Sequence, residues 1–169
     1  FSMNYNQILI DNITIDDNHN ISYKNSKNIN KKLIIKTPKL YLPFGVDKTD
    51  KDYFLNVQLR KSRDKEFNNE LDKFEQFIQN IENLIKTKLN KEINSQIRYS
   101  EKYDTMICLK IKKYKDKITT EVKQNNSFFN FYKITKGIYL DSEIIIDKVW
   151  IYNDVIHYKI KAQQINISV

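Results

Sequence analysis

"ICLKIKKY", residues 107–114, alternates aliphatic side chains with basic ones and ends in an aromatic ring. The aliphatic positions are Ile107, Leu109 and Ile111, and the positions between them include Lys110, Lys112 and Tyr114. Successive side chains of a strand point to opposite sides, so this stretch predicts a strand with one face in a core. Its other face then forms a positively charged and partly aromatic outer surface.

The same alternation recurs near the end of the chain, in "SEIIIDKVWIYNDVIHYKIKAQQINI" (residues 142–167). Asn153 and Asp154 tolerate a positive φ and therefore predict a tight turn between two strands. On the return strand one face carries Ile156, Tyr158, Ile160 and Ala162, and the opposite face carries His157, Lys159 and Lys161. A third strand is predicted at "YFLNVQL" (residues 53–59), with Phe54, Asn56, Gln58 and then Arg60 opposite its apolar face.

Residues 66–90 change to a helical period, with apolar side chains every three or four residues. The apolar positions are Phe67, Leu71, Phe74, Ile78, Ile81, Ile85 and Leu89. Acidic residues crowd the first half of this segment and lysines its last turns, as the helix dipole favours. Residues 64–92 contain seven acids and five lysines, so the basic charge of the chain lies elsewhere. The charged face of the helix is expected to face solvent.

The chain of 169 residues has a formal net charge of +8. Its length predicts a single domain over residues 1–169, with residues 1–30 as an N-terminal strand or arm. A basic excess predicts a polyanionic partner, with nucleic acid first and an acidic membrane surface second. A/T-rich codon usage is an alternative source of the lysines. The sequence shows neither a membrane span nor a signal peptide, so we expect a cytoplasmic or nuclear protein that is not secreted.

Several kinds of chemistry are excluded by the residues present. Gly45 and Gly137 are the two glycines, so the chain contains neither a phosphate-binding loop nor a dinucleotide-binding turn. Two histidines and the lone Cys108 form no recognisable metal or nucleophile motif, and Cys108 is expected to fill space. We therefore predict no enzymatic activity, no cofactor and no metal. Two clusters of acids resemble those that nucleases use to hold magnesium, and we expect both to be solvated here instead: Asp47, Asp50 and Asp52, and Asp141, Glu143 and Asp147.

Several strands, one long helix and a final hairpin predict a mainly β protein with an OB-fold-like antiparallel barrel capped by the helix. On such a barrel the lysine-bearing faces near residues 110 and 159 would share one groove. Tyr114, Trp150 and Tyr152 would provide flat rings beside it. Cations that follow phosphates and rings that stack on bases are what single-stranded nucleic acid requires.

Three segments of the chain carry a family resemblance: "LIIKTPKLYLPFGV" (residues 33–46), "YFLNVQL", and "KVWIYNDVIHYKIKAQQI" (residues 148–165). Together they resemble the OB-fold single-stranded DNA-binding proteins of nucleocytoplasmic large DNA viruses, which are relatives of a tailed-phage replication protein. The resemblance begins near residue 30. Its most specific pieces are the T-P-x-x-x-x-P-F-G string from Thr37 to Gly45 and the strand that contains Trp150.

The resemblance implies a non-sequence-specific protein that coats single-stranded DNA during viral DNA replication and recombination in an infected cell. The nucleic-acid-binding residues that it implies are Lys36, Lys39, Tyr41, Phe44, Lys110, Lys112, Trp150, Lys159 and Lys161. The strand patterns add Arg60, Tyr114, Tyr152 and His157. Relatives of this kind end in an acidic tail that recruits replication proteins, whereas no acid follows Asp154 here. Replication partners and a homodimer are therefore open questions at this point.

Two other functions fit the same sequence. The aromatic patch formed by Phe128, Phe129, Phe131 and Tyr132 would suit a non-enzymatic interaction module of a replication or virion complex. RNA binding would use the same lysines and rings as DNA binding, because no feature of the sequence selects for or against a 2′-hydroxyl.

Overall fold

The computed structural model describes residues 2–59 and 65–168 of the chain. One α-helix, α1, covers Lys65–Leu89. The strands, in chain order, are β1 (Met3–Asn4), β2 (Ile13–Ile15), β3 (Ile21–Lys24), β4 (Asn30–Lys31), β5 (Ile34–Lys36), β6 (Leu40–Leu42), β7 (Val46–Lys48), β8 (Tyr53–Gln58), β9 (Glu92–Ile93), β10 (Ile97–Arg98), β11 (Met106–Ile111), β12 (Lys113–Tyr114), β13 (Lys117–Ile118), β14 (Glu121–Gln124), β15 (Ser127–Phe128), β16 (Ile138–Ile145), β17 (Val149–Tyr152), β18 (Val155–Tyr158) and β19 (Ile160–Ser168).

Five of these strands close into a barrel. They pair in the order β6-β8-β11-β19-β16, and β16 pairs with β6 to complete the circle. If the barrel strands are numbered one to five in chain order, their order around the barrel is one, two, three, five, four. The predicted fold class is confirmed: a mainly β protein with one helix and a closed barrel, consistent with an OB-fold. The helix lies in the chain between the second and third barrel strands.

One strand pair of the barrel differs from the antiparallel arrangement that the sequence predicted. β11 and β19 run parallel, with Leu109 opposite Ile160 and Ile111 opposite Ala162. A parallel pair requires a long connection, and here residues 112–159 supply it. Local alternation reports which residues face the core, but it carries no information on the direction of a partner so distant in the chain. The barrel is therefore mixed.

β11 and β14 form one interrupted strand along the same edge of β19. β11 pairs with residues 160–162 and β14 with residues 164–167, both in parallel register. Between them a short hairpin of β12 and β13, residues 113–118, leaves the sheet, and we call it the finger. Lys112 and Thr120 close its base: the Lys112 N–H donates to Thr120 Oγ1 at 2.7 Å, and the Thr120 N–H donates to the Lys112 carbonyl at 3.2 Å. The finger therefore projects from a fixed point on the barrel wall.

The inward faces predicted from the sequence are buried in a single hydrophobic cluster. Ile107, Leu109 and Ile111 are each 1% exposed, which confirms the alternation of "ICLKIKKY". The apolar stripe of α1 packs into the same cluster, and Tyr5 meets Phe74 edge to face with ring centroids 5.4 Å apart. The N-terminal residues belong to this core too, because β1 pairs with β5 and Tyr5, Ile8, Ile13, Ile21 and Tyr23 are buried.

The predicted C-terminal hairpin is also present. Asn153 and Asp154 both have positive φ, 50° and 62°, at the turn between β17 and β18. The chain then re-enters the barrel as β19, where a bulge opposite Glu143 and Ile144 inserts Gln163 between paired residues. The inward residues of β19 are consequently Ile160, Ala162, Ile165 and Ile167.

One charged residue of α1 contradicts the expectation of a fully solvated polar face. Glu82 is buried, and its carboxylate accepts hydrogen bonds from Ser95 Oγ at 2.7 Å, from the Gln96 N–H at 3.0 Å and from the Tyr158 hydroxyl. Burial raises the pKa of Tyr158 well above its usual range, and the negative charge of Glu82 is the second-largest cause of this shift. The hydroxyl therefore stays protonated and donates. The carboxylate thus joins the helix to strand β18 and to the segment before β10.

Candidate nucleic-acid interface

Five lysines line a cavity of 280 Å³ on the outside of the barrel, which we call the lysine pocket. Lys110 on β11 lies directly opposite Lys161 on β19 and opposite Phe54 on β8. The pocket is lined by Lys110, Lys112, Lys113, Lys115, Lys161, Ile111, Thr119 and Asp52. Among the described residues that line it, Asp52 supplies the one carboxylate. The pocket is therefore strongly electropositive, and its lysines come from β11, the base of the finger, the finger itself and β19.

Three of these lysines have partners within the protein. Lys110 Nζ lies 3.8 Å from Asp52 Oδ2, and Lys161 Nζ lies 3.2 Å from Asp147 Oδ2. Lys112 Nζ donates to Gln163 Oε1 at 2.8 Å. These side chains are partly solvent-exposed, and ion pairs in such positions contribute about 0–1 kcal/mol. A phosphate group could displace the carboxylates at little cost.

The acids that the sequence analysis expected to be solvated are thus in part engaged. Asp52 and Asp147 pair with lysines of the pocket, and Asp47 and Asp141 accept hydrogen bonds from Asn56 and Asn166. Within residues 2–59 and 65–168, no three His, Cys, Asp or Glu side chains are grouped so that they could hold a metal ion.

Aromatic rings lie next to the lysines on the same outer surface. Lys159 Nζ lies 5.7 Å from the centroid of the Phe54 ring, a cation–π contact. On the β17–β18 hairpin, the Trp150 and His157 rings stack at 5.9 Å with an interplanar angle of 17°, and Tyr152 packs against His157 at 6.2 Å. We call Trp150, Tyr152 and His157 the ring ladder.

One segment of the chain, residues 157–161, joins the ring ladder to the lysine pocket. His157, Lys159 and Lys161 alternate with the buried Ile156, Tyr158 and Ile160, so their side chains point outward from one extended segment. Residues two apart in such a segment are separated by about 7 Å. The outer face of the second and third strands, together with the loop between the fourth and fifth, is where OB-folds bind oligonucleotides. Phe54, Lys110 and the ring ladder occupy those elements.

The predicted contacts in and next to the string from Thr37 to Gly45 lie in other places. Lys36 ends β5, opposite Glu143, and Lys39 Nζ lies 6.0 Å from the centroid of the Tyr139 ring. Tyr41 pairs with Tyr139 and with Gln58, four residues and therefore about 13 Å along β8 from Phe54.

Phe44, also from that string, meets the Tyr103 ring edge to face at 5.5 Å. None of these four residues is among the described residues that line the lysine pocket. Arg60 lies outside the described residues.

No protein-family model matches the chain, and no curated protein is similar to it in sequence. The candidate interface is therefore supported by its own geometry.

None of the described helical residues forms a segment that is both long enough and apolar enough to cross a bilayer.

Several residues of the interface were missed by the sequence analysis. Phe54 was placed on the outward face of its strand but was not proposed as a contact. Lys113 and Lys115 sit in the finger and belong to the lysine pocket, although alternation along "ICLKIKKY" would assign Lys113 to the inner face. The chain leaves the sheet after Ile111, so the alternation no longer applies beyond that residue. Tyr114, at the finger, is 70% exposed, and Lys115 Nζ lies over its ring at 5.6 Å.

Cys108 lies between Ile107 and Leu109 on the outward side of β11 but is nevertheless buried. Burial raises the pKa of its thiol, and the positive charges of Arg98 and Lys159 only partly oppose that shift. A thiol in this state is a poor nucleophile at neutral pH. Cys108 therefore fills space within the fold, in agreement with the role expected from the sequence.

Proposed function

We propose that this chain is a non-sequence-specific single-stranded DNA-binding protein without catalytic activity. The observation that carries the proposal is the lysine pocket beside Phe54 and the ring ladder, on the barrel face that OB-folds use for oligonucleotides. In this proposal the ammonium groups contact phosphates, and the rings stack on bases. Stacking contributes about 1–3 kcal/mol per base and tolerates any sequence, because every base has a flat face.

The resemblance to the single-stranded DNA-binding proteins of large DNA viruses suggests the setting. We propose that the protein covers transient single strands during viral DNA replication and recombination, in the cytoplasm or nucleus of an infected cell. Replication proteins would then be its neighbours on the DNA. Single-stranded RNA offers the same phosphates and bases, so RNA enters the test below as a competitor.

Trp150 is the one tryptophan of the chain and belongs to the ring ladder, so its fluorescence reports directly on the site. We expect oligo-dT to quench this fluorescence saturably. If all five lysines of the pocket contact phosphates, the slope of log K against log salt concentration should be about −3.5. The measurement is a titration with dT oligomers of graded length at several salt concentrations. Equal affinity for duplex DNA, or an affinity that does not change with salt, would contradict the proposal, and a matched RNA oligomer ranks the two nucleic acids.

Asp52 competes with phosphate for Lys110, because its carboxylate lies 3.8 Å from that ammonium group inside the lysine pocket. We expect Asp52→Asn to tighten oligo-dT binding by about 3- to 10-fold at low salt, and the gain should shrink as salt screens the charge. The matched control is Asp50→Asn, which changes the net charge equally in the same loop but does not line the pocket. Equal affinities of the two variants would show that Asp52 does not compete.

A further inference from the structure

A second and larger cavity lies on the other side of the finger. This cavity of 720 Å³ is lined by residues 116–123 and 128–132, and we call it the aromatic groove. Its apolar side chains are Ile118, Val122, Phe128, Phe129, Phe131 and Tyr132. Phe128 is 87% exposed and Tyr132 is 64% exposed, so two rings present their faces to solvent at this place. Neither ring belongs to the interface described above.

The aromatic groove and the lysine pocket adjoin each other at the base of the finger. Thr119, at the base of the finger, lines both cavities. A chain bound in the lysine pocket would therefore reach the groove by passing the finger.

The two cavities differ in charge. The lysine pocket has five lysines and one acid among its described lining residues, whereas the groove has Lys117 and Lys123 balanced by Asp116 and Glu121. Lys123 and Glu121 also pair with each other at 3.8 Å. The groove is thus close to neutral, and it offers rings and apolar surface with little attraction for phosphate.

We propose that the aromatic groove takes bases of the same single strand whose phosphates occupy the lysine pocket, with Phe128 and Tyr132 as stacking platforms. This inference rests on the proposed function. The position of the groove next to the lysine pocket, with Thr119 lining both, favours a nucleic acid over a protein as the occupant. The strand would be held mainly by its phosphates on one side of the finger and mainly by its bases on the other.

The two halves of this path predict different dependence on salt. Replacing Phe128 by Ala removes a ring but no cation, so we expect the affinity for long oligo-dT to fall at least about 5-fold while the salt slope stays unchanged. Oligomers too short to pass the finger should bind the wild type and the variant equally. Because the side chain is almost fully exposed, the substitution should leave the fold intact.

Two further variants separate stacking from general apolar contact. Phe128→Leu keeps apolar surface but no ring and should behave like Phe128→Ala, whereas Phe128→Tyr should bind as the wild type does. The measurement is fluorescence anisotropy of 5′-labelled dT oligomers of graded length at three salt concentrations.

Two outcomes would overturn the inference. If Phe128→Ala binds every length as tightly as a wild type that itself binds DNA, the groove takes no bases and this inference is wrong, while the proposed function stands. If the wild type fails to bind oligo-dT at any length, both the proposed function and this inference are wrong.

Discussion

A protein carrying Lys110→Glu and Lys112→Glu is expected to bind oligo-dT more than about 100-fold more weakly than the wild type at 50 mM salt. Two lost phosphate contacts account for about 60-fold at this salt concentration, and the new carboxylates add repulsion. The salt slope should become shallower by about 1.4. The measurement is the quenching of Trp150 fluorescence over a range of salt concentrations. Both side chains belong to the lysine pocket, so the effect tests that surface and not the overall charge.

Two controls support the interpretation of this double variant. Lys27→Glu with Lys31→Glu changes the net charge equally, but both lysines are exposed near the β3–β4 turn and line neither cavity. We expect that variant to lose only a few-fold in affinity. Lys110→Gln with Lys112→Gln avoids placing a glutamate next to Asp52, and it should still lower the affinity for oligo-dT about 60-fold at 50 mM salt. If the pocket variants and the Lys27 and Lys31 variant weaken binding equally, only diffuse charge attracts the DNA and the site is wrong.

Local patterns in the sequence were sufficient to predict which face of each strand is buried and where the helix and the turn lie. The burial of Ile107, Leu109 and Ile111 followed from a period of two, and α1 followed from a period of three to four. The turn at Asn153 and Asp154 followed from two residues that accept positive φ. In each case the physical cause acts over a few residues, so a short stretch of sequence contains it.

Features that depend on distant parts of the chain were not visible in the same way. The parallel pairing of β11 with β19 joins residues about 50 apart, and no local signal sets its direction. The finger arises because the strand is interrupted after Ile111 and resumes beyond Thr120, which is fixed by a hydrogen bond from Thr120 Oγ1 to the Ala162 carbonyl. A long-range contact of this kind cannot be deduced from alternation.

The candidate interface shows the same division. Lys110, Lys112 and Lys161 were expected on a common surface because each faces outward from its strand, and all three line one pocket. Phe54 enters the site only because β8 lies next to β11, and Lys113 and Lys115 only because the finger borders the pocket. Lys36 and Lys39, near Pro38 and Pro43, were implied by the family resemblance and not by strand alternation, and both lie outside the pocket.

Glu82→Ala is expected to lower the free energy of unfolding by at least about 3 kcal/mol. The substitution leaves three buried or half-buried donors without their acceptor: Ser95 Oγ, the Gln96 N–H and the Tyr158 hydroxyl. An orphaned buried donor costs about 1–3 kcal/mol. The measurement is urea denaturation at pH 7, and the control is Lys73→Ala on the exposed side of the same helix, which should cost less than about 1 kcal/mol. A loss no greater than that of the control would contradict a structural role for the buried carboxylate.

The Glu82 network also supports the candidate interface, because Tyr158 lies between His157 and Lys159. If its hydroxyl anchors this segment, Tyr158→Phe and Glu82→Ala should be coupled, with the double variant less destabilised than the sum by about 0.5–3 kcal/mol. In the Glu82→Ala variant, amide hydrogen exchange should accelerate more in the β17–β18 hairpin, which carries the ring ladder, than in the barrel strands. Uniform acceleration would mean that Glu82 stabilises the whole fold and not the hairpin in particular. The ring ladder would then be positioned by the β17–β18 pairing alone.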